Sequence, residues 1–322
     1  MYWRRRLTLL VAVAALGALA VLLLGDQGGV RPAAPSAATP MPLPSVGPAP
    51  LAGTGTAPSP LAPRLAERGD PVRLRFEHEP SAGLLFDLDT GGVLWRRNAS
   101  RVLPIASLTK MMTALLVVER VPRGGRVRIT PQTLRYRGSG VGMLPRGRLI
   151  RVEAMLHGLL LPSGNDAAIA LAQRAGGSVR RFVRMMNRRA AAMGLRCTRF
   201  ASPSGLSPGD HSCAADLAAL ARAVLRVPRL ARIVGRRSAV LPFPIRSGRL
   251  HLYNTNPLLR ERYRGATGIK TGYTIAAGRC LVASAERGGT RLAVVLLRSR
   301  DPGRQARRLL DNGFRFARSG AG

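Results

Sequence analysis

The chain has 322 residues, 46% of them hydrophobic, enough for one large domain or two small ones around a packed core, so composition leaves a globular enzyme open. Its formal charge of +35, from 51 basic and 16 acidic residues, suits an anionic partner. The arginines are spread through every segment, however, and no zinc-finger spacing or aromatic RNA-binding signature goes with them, which argues against nucleic acid. Only two of the basic residues are lysines, Lys110 and Lys270. A buried or crowded lysine can lose its proton and act as a base, whereas arginine keeps its charge, so these two positions are candidates for chemistry.

Arg4, Arg5 and Arg6 precede an uncharged run of leucine, alanine and valine over residues 7–25. Residues 1–25 therefore read as a signal peptide or an N-terminal membrane anchor, and the length of the run favours the anchor. Residues 26–69 are rich in proline, alanine, glycine, serine and threonine and read as a disordered or extended spacer, leaving 70–318 as the folded domain. A β-hairpin is expected over 82–97, turning at Asp89-Thr90-Gly91-Gly92. A buried helix follows at 107–120, entered after Pro104, and further helices are expected at 152–161, 166–174, 179–193 and 214–226. Beyond Arg249 the pattern turns to strands at 250–253, 267–271, 279–286 and 292–297, expected as antiparallel neighbours, and a last helix covers about 304–312. Strands at both ends with helices between them predict an α+β domain whose N-terminal hairpin joins the C-terminal meander. Cys197, Cys213 and Cys280 fit neither a zinc site nor a multi-disulfide framework. In an oxidising compartment Cys197 and Cys213 are the disulfide candidate, closing a short loop through Ser202-Pro203-Ser204-Gly205, with Cys280 left in the core.

Three short segments carry the chemistry. Ser107-Leu108-Thr109-Lys110 puts a hydroxyl and an amine one helical turn apart on one face, the spacing at which a desolvated lysine can take a serine's proton. Ser163-Gly164-Asn165 follows an apolar run, and Lys270-Thr271-Gly272 ends a strand, where the glycine lets a substrate backbone approach. Each alone is weak: the first also describes a capped helix with an incidental lysine, the second a turn.

Together and in this order the three resemble the penicillin-binding-protein and serine β-lactamase superfamily, and within it the low-molecular-mass D-alanyl-D-alanine carboxypeptidases. The likeness spans about residues 75–316 and includes Leu161-Pro162-Ser163-Gly164-Asn165-Asp166-Ala167-Ala168, Tyr253-Asn254-Thr255-Asn256 and Gly268-Ile269-Lys270-Thr271-Gly272-Tyr273 running into Cys280-Leu281-Val282-Ala283-Ser284-Ala285. The resemblance implies an antiparallel sheet flanked by helices, with a helical subdomain carrying the active-site serine. It implies that Ser107 attacks the carbonyl between two D-alanines, that Lys110 accepts its proton, and that Ser163 relays a proton to the leaving amine. Asn165 would orient Lys110 and the substrate amide, and Lys270 would help lower the pKa of Lys110. Thr271 would hold the substrate carboxylate, and the N–H groups of Ser107 and Tyr273 would form the oxyanion hole. Arg304, with Arg300 as rival, is the candidate second partner of that carboxylate. No metal or cofactor is implied. The implied partners are the peptidoglycan pentapeptide, β-lactam antibiotics as inhibitors, and the membrane through the N-terminal segment, which places the domain on the cell-wall side. Relatives often carry a further β-rich domain and a C-terminal anchor, so attachment here is expected to be N-terminal. Three rival readings stand beside this one: a DD-endopeptidase, a serine β-lactamase, and a non-catalytic basic wall-binding protein. Class A β-lactamases deacylate with a glutamate placed after the second segment, and no glutamate occurs between Glu153 and Glu261.

Overall fold

The computed structural model describes residues 59–66 and 69–319. The expected signal or anchor at 1–25 and most of the expected spacer lie outside the described residues. The end of that spacer belongs to the folded part instead. Leu61 and Leu65 pack against the core, Arg222 donates to the Leu61 carbonyl at 3.0 Å, and Arg64 N–H donates to the Gly91 carbonyl at 2.9 Å. Two leucines four residues apart supply the apolar contacts that the surrounding Pro/Ala composition conceals. No helix among the described residues is long and apolar enough to cross a membrane.

The first strands are β1 (Ala82–Asp87), β2 (Val93–Arg97) and β3 (Leu103–Pro104), followed by β4 (Arg126–Arg128), β5 (Leu149–Arg151) and β6 (His211–Ser212). The second half holds β7 (Ser238–Pro242), β8 (Arg249–Tyr253), β9 (Ala266–Thr274), β10 (Gly278–Arg287) and β11 (Thr290–Ser299). The main sheet has the order β2-β1-β11-β10-β9, antiparallel throughout, with Ala82 opposite Leu297 where the N-terminal hairpin meets the C-terminal meander.

Strand alternation explains why this sheet lies between two layers. Along β11, Ala293, Val295 and Leu297 point into one core with the central helices, while Leu292, Val294 and Leu296 face a second core. That second core is closed by Ala306, Leu309, Leu310 and Phe314, the apolar stripe of the C-terminal helix Pro302–Ser319.

Helices occupy Lys110–Arg120, Val152–Leu160, Asn165–Gly176, Val179–Ala192 and Ala214–Leu225, close to the periodic segments. The expected pairing of 250–253 with 267–271 is wrong: β8 pairs with β7, with Ala239 opposite Leu252 and Leu241 opposite Leu250. No strand was expected over 238–242, where Pro242 closes the strand, a position at which proline is tolerated at a strand end on an edge. Proline also hid three helices, Pro131–Leu134, Pro228–Val234 and Pro257–Arg260, each of which starts on it. The first helical position needs no N–H donor and suits the fixed φ of proline.

Cys197 and Cys213 are joined by a disulfide, with Cα atoms 5.5 Å apart. Asp216 braces the bridge by accepting from the Cys197 N–H at 2.7 Å. Closing a loop of 16 residues restricts the unfolded chain. Cys197→Ser should therefore lower the unfolding free energy by about 3 kcal/mol, read by denaturant titration with and without reductant.

Candidate active site

Backbone conformation aims Ser107. Ala106 takes φ 48°, and a 3-10 turn over Ala106–Thr109 leads into the helix Lys110–Arg120. Sequence periodicity placed Ser107 in that helix; it lies in the tighter turn ahead of it. A left-handed alanine costs on the order of 1–3 kcal/mol and persists only where neighbours over-determine it. Gly205, at φ 87°, supplies part of that constraint, since a Cβ there would overlap the Ala106 carbonyl. Ser107 stays partly exposed while Leu108, Thr109 and Lys110 are buried.

Lys110 is fully buried. Its Nζ donates to Ser107 Oγ at 2.7 Å, to Asn165 Oδ1 at 2.7 Å and to the Ser204 carbonyl at 2.8 Å. None of these acceptors is a carboxylate. A neutral amine has two hydrogens and one lone pair, so Asn165 and Ser204 can take the hydrogens and leave the lone pair facing Ser107. Burial holds the Lys110 pKa well below its ordinary value, and the nearby Lys270 cation lowers it further, while Asp210 and Asp166 pull it upward. Both aspartates are tied elsewhere. Asp210 accepts from the N–H groups of Ala201 and Ser202 and from the Ser202 hydroxyl. Asp166 accepts from the N–H groups of Val141, Gly142 and Ala167. Lys270, also buried, is pushed down to about 7 by desolvation, and its Nζ donates to the Thr271 carbonyl at 2.9 Å.

Asn165 opens the helix Asn165–Gly176. Its Nδ2 donates to the Arg137 carbonyl at 2.6 Å, and its N–H to the Ser139 carbonyl at 2.8 Å. The same side chain therefore orients Lys110 and pins the loop over 135–148. Ser163, at φ 68°, presents a buried Oγ with no hydrogen-bond partner among the described residues. A buried hydroxyl left free beside a cleft is a group waiting for a ligand atom.

Ser107, Ser163, Thr271, Gly272 and Tyr273 line one cleft of about 650 Å³. Strand β9 forms its wall and passes so close to Ser107 that a Cβ on Gly272 would lie 3.0 Å from the Ile105 carbonyl and 3.1 Å from the Ser107 nitrogen. With Ser107 as the nucleophile that the sequence resemblance implies, Gly272→Ala should displace it and slow its acylation by about a hundredfold, measured as the rate of penicillin labelling, without loss of the folded state. Thr271 Oγ1 meets Thr255 Oγ1 at 2.6 Å, and Tyr273 is 65% exposed at the mouth. Arg304 also lines the cleft and pairs with Asp301 at 3.1 Å. Its rival Arg300 is turned towards His78, with Nη1 3.2 Å from Nε2. Cys280 also reaches the cleft, but burial pushes its thiol up to about 11, so it is no thiolate at neutral pH.

Residues 70–301 match the peptidase S11 family, D-alanyl-D-alanine carboxypeptidase. The chain belongs to this family. It is 35% identical over 246 residues to the D-alanyl-D-alanine carboxypeptidase DacF of Bacillus subtilis, covering 74% of this chain and 62% of that protein. It is 38% identical over 217 residues to DacB2 of Mycobacterium tuberculosis, covering 66% and 73% respectively. A crystal structure of D-alanyl-D-alanine carboxypeptidase from M. tuberculosis H37Rv superposes with a TM-score of 0.70 at 34% identity, covering 76% of this chain and 93% of that one. The chain thus spans less than two thirds of the length of the Bacillus relative.

In this member of the S11 family the three separated sequence segments meet around Lys110, and Arg304 lines the same cleft. Sequence reasoning missed Ser139, Thr255, Arg307 and the Ser204 carbonyl. Thr255 was visible only as part of Tyr253-Asn254-Thr255-Asn256, without a role. It is positioned by Asn254, which donates to the Val234 and Arg236 carbonyls and accepts from the Asn256 N–H. Ser139 sits among Gly138, Gly140 and Gly142, and that glycine alternation was the one signal for a loop pressed against the site. Arg307, which contacts Glu261 beside the cleft, looked like one surface arginine among many.

Proposed function

We propose that this protein is a serine-type D-alanyl-D-alanine carboxypeptidase that removes the terminal D-alanine from peptidoglycan stem peptides through an acyl-enzyme on Ser107. One observation carries the reading: the Lys110 amine lies 2.7 Å from Ser107 Oγ, desolvated and without a carboxylate among its hydrogen-bond partners. Neutral Lys110 takes the Ser107 proton as Oγ bonds to the carbonyl carbon of the penultimate D-alanine. The carbonyl electrons move onto oxygen, held by the N–H groups of Ser107 and Tyr273. As that intermediate collapses, the C–N bond breaks and the proton passes through Ser163 to the leaving amine, releasing D-alanine. Water then attacks the ester, with Lys110 again taking a proton, and frees Ser107. Asn165 fixes the amine and the substrate amide. Thr271 and Arg304 hold the terminal carboxylate, and Gly272 leaves room for the substrate backbone.

The same serine would accept the strained amide of a β-lactam, which makes such antibiotics covalent inhibitors. The acidic residues in the cleft, Glu261 and Asp301, are engaged by Arg307 and Arg304, which argues against rapid hydrolysis of that adduct. Three basic residues before the apolar run, together with the disulfide, support an exported domain anchored by or cleaved from its N-terminal segment. Assay of D-alanine release from a diacyl-lysyl-D-alanyl-D-alanine peptide tests the proposal. The purified protein should release D-alanine and the Ser107→Ala protein should not. Sustained nitrocefin turnover would point instead to a β-lactamase, release only from crosslinked muropeptides to an endopeptidase, and inertness with all three to a wall-binding protein.

A further inference from the structure

We infer a second ligand site, outside the catalytic cleft, that binds a phosphate group, either free or carried on an anionic polymer. Three elements build it around a cavity of about 230 Å³. On the helix Val152–Leu160, Glu153 and His157 are one turn apart on one face. Arg229 and Arg232 come from the helix Pro228–Val234, Arg236 from just beyond it, and Arg123 from the turn after the helix Lys110–Arg120. The three-residue spacing of Arg229 and Arg232 puts them on one face of that helix, and Arg236 lines the same cavity from beyond its end.

Charge makes this more than a crevice. Four guanidiniums meet a single carboxylate there, and that carboxylate is already committed, since Glu153 Oε2 accepts from Arg229 Nε at 2.9 Å and lies 2.8 Å from its Nη2 in an ion pair. Arg229 is itself buried, its side chain only 8% exposed, so its orientation is fixed by the fold. Arg232 spends one donor on the Pro228 carbonyl at 3.2 Å. Neither Arg123 nor Arg236 forms an ion pair with a described residue. Cations brought together in a partly enclosed cavity repel one another, and an anion among them relieves that cost. Donors arrive from a helix, its trailing turn and a separate loop. A tetrahedral phosphate offers acceptors in all those directions, whereas a flat carboxylate satisfies a single fork. The cavity volume accommodates a phosphate with an attached small alcohol, as a polymer unit would require.

Titration calorimetry with inorganic phosphate, with acetate and with a poly(glycerol phosphate) chain tests this on the full-length protein. Saturable phosphate binding is expected, tighter than acetate. Arg232→Ala/Arg236→Ala, which changes two exposed residues, should weaken it by about a hundredfold, since a hydrogen bond to a charged group carries about tenfold or more. Arg180→Ala/Arg184→Ala, an exposed pair on the helix Val179–Ala192, controls for bulk charge and should leave affinity unchanged. Penicillin labelling at the native rate confirms that both variants are folded. If the polymer shows the same dependence on Arg232 and Arg236, the carried form is the ligand; if only the free ion does, the site serves the ion. No saturable phosphate binding, or equal weakening by the two arginine pairs, overturns the proposal.

Discussion

In the Lys110→Arg protein, D-alanine release and penicillin acylation should both fall by about a thousandfold or more, the loss expected when a general base is removed. The substitution keeps hydrogen-bond donors at residue 110 but holds a permanent charge and no lone pair, so it separates two roles. Were residue 110 needed only to hold Asn165 and the Ser204 carbonyl in place, a guanidinium would keep much of that function, and rates would stay within about tenfold. Proton removal from Ser107 requires a neutral nitrogen with a lone pair, and arginine does not supply one. The readout is the acylation rate constant across a range of pH. In the native protein it should rise as pH climbs through the lowered pKa of Lys110, and in Lys110→Arg that limb should vanish.

The second large effect concerns Lys270→Met, which keeps the bulk of the side chain and deletes its charge. Two changes follow from one cause. Acylation should slow by about a hundredfold or more, because a preorganised cation is lost from the site. The acid limb of the pH profile should also move to higher pH, since removing a neighbouring cation lets Lys110 hold its proton more tightly. Stability should move the other way. The folded Lys270 titrates at about 7, whereas an unfolded lysine titrates at about 10.4. Between those values the unfolded chain binds more protons, so native stability rises with pH by about 1.4 kcal/mol per pH unit and levels off below 7. Lys270→Met lacks this term. Its gain in unfolding free energy over the native protein should be largest at pH 7 and below and should shrink towards pH 10. A variant both slower and more stable marks a site that trades stability for reactivity.

Much of this was legible in the sequence because the chain uses lysine so sparingly. With arginine at nearly every basic position, Lys110 and Lys270 stood out, and the Ser107 spacing assigned the first of them a partner. The main sheet was readable for a different reason: its strands β1, β10 and β11 are nearly continuous buried runs, and Asp89-Thr90-Gly91-Gly92 and Gly288-Gly289 mark the turns after β1 and β10. What stayed hidden depended on contacts between distant segments. The positive φ of Ala106 arises from the pressure of Gly205 and β9, not from any preference of alanine. The Ser204 carbonyl reaches Lys110 from 94 positions away, and main-chain groups carry no sequence signature. Short elements that contain proline, β7 and the helices beginning at Pro131, Pro228 and Pro257, were not among the expected elements. The abundance of arginine that exposed the lysines also concealed Arg307 and the Arg229, Arg232 and Arg236 face.

Mass mapping of the penicillin adduct tests the central claim most directly. Benzylpenicillin-treated protein digested with trypsin should carry one adduct, on the peptide 102–110, with fragmentation placing it on Ser107. An adduct on Lys110, on another peptide, or none at all would contradict the assignment of Ser107 as nucleophile and Lys110 as its base.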